Sequence, residues 1–169
     1  MKALAFPTLL LVPCFLSLSA STAYSYEPIV SMAGEHRIVT PMDQPIEILA
    51  SADQTDGKMG FLIIEGKPGQ GPGPAITMTK SSQTLYVLEG TYEFHVGSKV
   101  FEGGPGTFLS VDAGQSHGFI NKTAGKMLVV FSPGGYEQFF VDWDARDGLE
   151  PGPELGALEN KYGVTRPAP

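Results

Sequence analysis

The sequence predicts an all-β chain: a small antiparallel β-barrel or jelly roll with one short C-terminal helix. Three observations predict it. Gly (21) and Pro (14) are abundant among 169 residues while 42% of the chain is hydrophobic, which supplies apolar material for one core and frequent punctuation for short strands. The apolar segments are short, β-branched or aromatic, and bounded by turn residues at roughly even spacing, as in a sandwich or barrel. No helical intervals separate them, so the parallel α/β class is excluded.

The chain opens with Lys2, an apolar stretch from Ala3 to Leu18, and the small residues Ser19 to Ala23. This reads as a secretory signal peptide over residues 1–23, cleaved after Ala23, with Ser21 and Ala23 meeting the small-residue rule. The alternative is an uncleaved anchor; Pro7 and Pro13 interrupt the run, which falls short of the ~20 apolar residues that a span needs. Localisation is therefore read as secreted or secretory-pathway, with no membrane association after signal removal. Cys14 is the only cysteine and falls in the segment to be removed, so the mature chain is expected to hold no disulfide and no thiolate. Asn121-Lys122-Thr123 is an N-glycosylation sequon, usable only where it is exposed in a glycosylating pathway.

Residues 24–143 are expected to form the barrel with an irregular N-terminal arm. The expected strands are Arg37 to Thr40, Ile46 to Leu49, Phe61 to Glu65, Ile76 to Thr79, Thr84 to Leu88, Thr91 to Val96, Lys99 to Phe101, Thr107 to Val111, Gly118 to Asn121 and Met127 to Phe131. Gly66 to Pro74 reads as a loop, because Gly and Pro dominate it. Pro133-Gly134-Gly135 ends the strand series. Tyr136 to Trp143 then places Phe139, Phe140 and Trp143 at helical spacing, the packing face of a short helix or a cap over an apolar pocket. Residues 144–169 are polar and rich in Gly and Pro, hence either a wrapping arm or disordered.

Charge narrows the partners. Lys plus Arg is 11 and Asp plus Glu is 18, a net charge of −7, which offers no basic surface for a phosphate backbone and argues against nucleic acid.

Two segments carry a family pattern. Gly106, Asp112-Ala113-Gly114, His117 and Asn121 follow the order glycine, five residues, Pro-x-Gly, two residues, histidine, three residues, asparagine, with Asp112 in the proline place. Upstream, counting back from Gly90 puts Gln83 at the glutamate and Thr79 and Thr77 at the two histidines of a His-x-His motif, with a leading glycine near Gly71. The flanks Thr55-Asp56-Gly57-Lys58 and Phe131 to Phe140 agree. From about Gly34 to Trp143 the sequence resembles the single-domain, quercetin-dioxygenase-like cupins. The resemblance implies a barrel whose centre usually holds Fe, Mn, Ni, Cu or Zn on three imidazoles and one carboxylate, a set suited to such ions. His117 alone of those four is kept here, so the chain is expected to hold no metal and to use no cofactor. The substitute ligands open to it are His95 and Glu65.

His117 has two readings: a core histidine hydrogen-bonded to Thr77 or Thr79, or a proton-transfer group at the barrel mouth, since an unperturbed imidazole titrates at about 6.5. Strand alternation puts Thr77 and Thr79 on one face, where with Gln83 they would line the ligand position. Tyr86 and Phe119 are core residues or further lining. His95 alternates with Glu93 on a polar face and reads as surface.

Three functions follow. The first is an enzyme acting on a small, mostly apolar metabolite, aromatic or polyketide-like, by metal-independent acid/base chemistry of the isomerase, cyclase, lyase or decarboxylase kind. The second is a non-catalytic small-molecule-binding barrel. The third is a dioxygenase with an unusual ligand set. A homodimer is the expected assembly, with strands of the N-terminal arm adding to a partner's sheet edge.

Overall fold

The computed structural model describes residues 27–146 and 149–167; the signal-like segment, residues 1–23, lies outside them. Among the described residues, eleven strands form two antiparallel sheets. The first, of six strands, runs in the order β1 (Arg37–Val39), β2 (Ile46–Ala50), β3 (Gly60–Gly66), β10 (Gly125–Ser132), β5 (Ser82–Glu89), β8 (Phe108–Val111). The second, of five, runs β11 (Val164–Thr165), β4 (Gly73–Met78), β9 (Ser116–Asn121), β6 (Tyr92–Val96), β7 (Lys99–Gly103). Helix α1 (Glu137–Asp144) follows β10, and α2 (Pro153–Lys161) precedes β11.

Strands β3 and β10 follow a period of two. In β3, Leu62 and Ile64 are buried, with Phe61, Ile63 and Glu65 only partly covered; in β10, Met127, Val129 and Phe131 point in. The inward sets of the two sheets meet as one core with Tyr92, Phe94 and Phe119 at its centre, the arrangement that lets facing sheets exclude water. The turn between β5 and β6 needs Gly90: its φ is +82°, and a Cβ there would lie 2.5 Å from the Ala124 carbonyl oxygen. The outer face of the six-stranded sheet is also largely apolar. Ile38, Tyr86, Leu88 and Phe108 are exposed on it, and the Lys126–Glu65 ion pair, 2.6 Å, closes one end.

The expected single helix is α1, and the structure adds a second. The described residues beyond Asp144 form a wrapping arm. Leu155 and Leu158 of α2 and Val164 of β11 enter the main core, and β11 pairs with β4 as Val164 with Met78 and Thr165 with Thr77. Among the described residues no helix is long and apolar enough to cross a membrane.

Register defines the two barrel ends. At one, Gln83 on β5 sits between Phe131 of β10 and Val111 of β8, while His117 on β9 sits between Ile76 of β4 and Val96 of β6. At the other, Tyr92 faces Asn121 in the ladder, and Asn121 packs so closely on Gly66 that a Cβ there would come within 2.6 Å of the amide. Asn121 is 2% exposed, so the sequon is closed to modification in the folded chain.

Candidate functional site

The end holding His117 and Gln83 is the candidate site. His117 points inward because β9 alternates His117, Phe119 and Asn121 toward the core, and Gln83 does so because β5 alternates Gln83, Leu85 and Val87. The two side chains come from different sheets and meet in the interior, His117 Nε2 lying 2.8 Å from Gln83 Oε1. His117 is 2% and Gln83 6% exposed.

The protonation of His117 follows from its other nitrogen. Nδ1 lies 2.8 Å from the Gln115 carbonyl oxygen, which can only accept, so Nδ1 carries hydrogen and donates to it. Burial holds the imidazole below its ordinary pKa, and the bond to the Gln115 carbonyl offsets this in part. In the neutral ring Nε2 is therefore a lone pair. A carboxamide has a donor end and an acceptor end that exchange by a half-turn. With the ring neutral, the Gln83 NH2 donates to Nε2; with the ring protonated, Nε2–H donates to Oε1. Gln83 can thus satisfy both charge states of its partner.

The structure corrects the expected lining. Thr77 and Thr79 lie on the face of β4 away from the core. The inward residues are Ile76 and Met78, both buried. Thr79 is exposed and its hydroxyl donates to the Gly163 carbonyl at 2.9 Å, so neither threonine is placed against His117, and the core-histidine reading that gave it a threonine partner is replaced by the Gln83 pairing. Tyr86 is 41% exposed on the outer face of the six-stranded sheet and does not line the site. Phe119 is buried one inward position along β9 from His117, in the aromatic centre. Sequence reasoning missed Ile76, Met78 and the Gln115 carbonyl. The first two had a signal in the alternation of apolar Ile76 and Met78 with polar Thr77 and Thr79.

A cap completes this end. Tyr136, just before α1, lies with its ring centroid 4.9 Å from that of Phe131, itself opposite Gln83 in the ladder, and stacks on Phe139 at 5.0 Å. Burial raises the Tyr136 phenol far above its ordinary value, with nearby Glu159 adding to the shift.

The residues do not fit the metal that cupin barrels usually carry. The positions beside His117 are Ile76, Met78, Gln83 and Val96, of which only the thioether and the amide oxygen can donate, weakly, to a borderline divalent ion. Both nitrogens of His117 already have protein partners. The substitute ligands considered from sequence are remote from it: His95 is on the outward side of β6 with Glu93, 2.9 Å away, and Glu65 is on the outer face with Lys126. Among the described residues no group of three or more His, Cys, Asp or Glu is placed to hold a metal ion.

The comparisons agree on the fold. Residues 62–132 match the family described as a cupin domain. An RmlC-like cupin from Shewanella frigidimarina superposes with a TM-score of 0.56 at 18% identity, over 66% of this chain and 96% of that one. A predicted oxalate decarboxylase from Thermotoga maritima gives 0.54 at 21% identity, over 62% and 99%. The polyketide cyclase RemF from Streptomyces resistomycificus gives 0.51 at 17% identity, over 63% and 80%. No curated protein sequence matches the chain. The domain match over residues 62–132, the two antiparallel sheets and these superpositions give this chain the cupin fold.

Proposed function

We propose that this chain is a metal-independent cupin enzyme that binds a small, mostly apolar metabolite at the His117 end of the barrel and moves a proton on and off it with His117. The observation that carries the reading is the His117–Gln83 contact. A general base needs a lone pair aimed at the substrate and a neighbour that tolerates the charge it acquires. Nδ1 is fixed as the donor to Gln115, which leaves Nε2 as the base. A substrate C–H or O–H that displaces the Gln83 amide from Nε2 gives its proton to that lone pair, and the same proton returns at another position of the substrate. Isomerisation, cyclisation and elimination share this step and need no oxidant. The apolar neighbours Ile76, Met78 and Phe131 favour an apolar substrate.

Support from relatives is at the level of kind. RemF is named a polyketide cyclase, and a Streptomyces PAC13 variant that superposes with a TM-score of 0.54 at 16% identity is described with uridine; both are cupin-fold proteins that take small organic molecules. We propose further that the chain enters a secretory route by cleavage after Ala23 and works as a homodimer. Intact mass beginning at Tyr24, and light scattering at twice the chain mass, are the expected results.

A second reading rests on the same two contacts. Both His117 nitrogens are bonded within the protein, as in a barrel that binds a ligand and performs no chemistry. Turnover of candidate metabolites separates the two. His117→Ala should lower an acid/base activity by about 100- to 10,000-fold with chelator having no effect. Activity unchanged in His117→Ala, or lost with chelator, would overturn the enzyme reading, and binding without turnover by the natural chain would favour the second.

A further inference from the structure

We infer that the segment from α2 through β11 is a displaceable cover over the His117 end of the barrel, and that a ligand enters by its release. The inference rests on the reading of His117 as the working group, but concerns access to it. The starting observation is a conflict: a group that must meet a ligand is almost wholly buried. The C-terminal segment lies against the end of β4 beside it, where the Thr79 N–H donates to the Gly163 carbonyl at 2.8 Å. Val164 of β11 pairs with Met78, two residues from the Ile76 that sits opposite His117, and Tyr162 meets the Tyr136 ring edge-on at 6.4 Å.

The cover is built to come off as a unit. Helix α2 has nine residues, with Gly156 inside it, too short to persist in water without docking. Strand β11 has two residues at the edge of its sheet. Only Leu155, Leu158 and Val164 among its aliphatic side chains are buried in the core. Polar contacts at the surface supply the other anchors. Asp142 of α1 accepts from Lys161 Nζ at 2.6 Å and from the Tyr162 hydroxyl at 2.7 Å. Arg166 pairs with Glu159 at 2.7 Å and donates to the Pro72 carbonyl at 2.7 Å. A short edge segment held by three aliphatic side chains, the Tyr162 ring and a handful of polar anchors belongs to the low-stability end of a fold and opens locally. The barrel strands, joined through long ladders, do not open with it.

The three histidines report the event. Exchange of the imidazole C2 hydrogen in heavy water, read by mass spectrometry at a pH above the imidazole range, follows solvent access and needs no substrate. In the full chain His117 should exchange more slowly than His95. In Asp142→Ala/Arg166→Ala, the His117 rate should rise about tenfold with His36 and His95 unchanged. A His117 rate equal to the natural one, while amides of β11 exchange faster, would overturn the inference. The converse variant guards against general unfolding. Thr77 and Thr165 are directly paired, and antiparallel partners about 4.5–5.5 Å apart at Cα fall inside the range of about 4.4–6.8 Å for a disulfide. Oxidised Thr77→Cys/Thr165→Cys should slow His117 exchange, with the natural rate returning on reduction; no change on locking would also overturn it. Slow exchange in the lock together with full activity in His117→Ala would leave the cover standing and remove the enzyme reading.

Discussion

His117 and Gln83 belong to different sheets, and the 2.8 Å contact between their side chains is a polar bridge from one sheet to the other. Cutting one side strands the other. His117→Leu or Gln83→Leu leaves a buried polar group without its partner, which costs about 1–3 kcal/mol each, whereas the double variant replaces both partners by apolar groups. Chemical denaturation should show the double variant to be less destabilised than the sum of the singles. Strict additivity would mean that the two side chains do not act on one another.

The pH dependence has a fixed sign. Burial holds the folded pKa of His117 below the ordinary 6.5. Between that depressed value and 6.5 the unfolded chain binds a proton that the folded chain does not, so stability from this group falls as pH falls through the window and is level above it. His117→Leu should flatten that part of the stability curve. A slope that is unchanged in the variant would assign it to other groups.

A metal site can be restored only on the inward face. Ile76→His/Met78→His/Gln83→Glu would place two imidazoles and a carboxylate beside His117, whereas Thr77→His/Thr79→His/Gln83→Glu turns the two new imidazoles outward. Titration calorimetry with Ni should give about one ion per chain for the first, in keeping with the preference of imidazole and carboxylate sets for such ions, and no matching site for the second. Binding by the threonine-derived variant would reverse the assignment of faces on β4.

Asn121 should carry no glycan even in a glycosylating host, because its amide is buried against Gly66. Intact mass should equal the polypeptide. Gly66→Ala should destabilise the fold by about 1–3 kcal/mol, as overpacking does, since the added methyl has no space beside that amide.

Much of the fold is readable in the chain because the barrel strands are local patterns of β-branched and aromatic residues between Gly and Pro turns; the expected Thr84 to Leu88 and Met127 to Phe131 lie inside β5 and β10. Helix α2 was not readable. Leu155 and Leu158 are sparse apolar residues in a segment with Gly156 and three flanking prolines, Pro151, Pro153 and Pro167, and only docking gives them a helix to belong to. The site was half readable. His117 and Gln83 came from motif spacing alone, but the motif admits three or four residues between histidine and glutamate, and a one-residue slip on a strand reverses every face. Thr77 and Thr79 fell on the wrong side for that reason. Tyr86 was misplaced by its aromatic character, although its neighbours Leu85 and Val87 occupy the inward positions of β5.

Trp143 is the single tryptophan of the chain. Its indole N–H donates to the Leu149 carbonyl at 3.0 Å, its ring lies 5.4 Å from that of Phe139, and both contacts sit where α1 hands the chain on toward α2. The protein therefore carries its own optical reporter, with emission set by the join between barrel and C-terminal arm. Loosening the arm should shift that emission to the red while tyrosine absorbance from the barrel core stays constant.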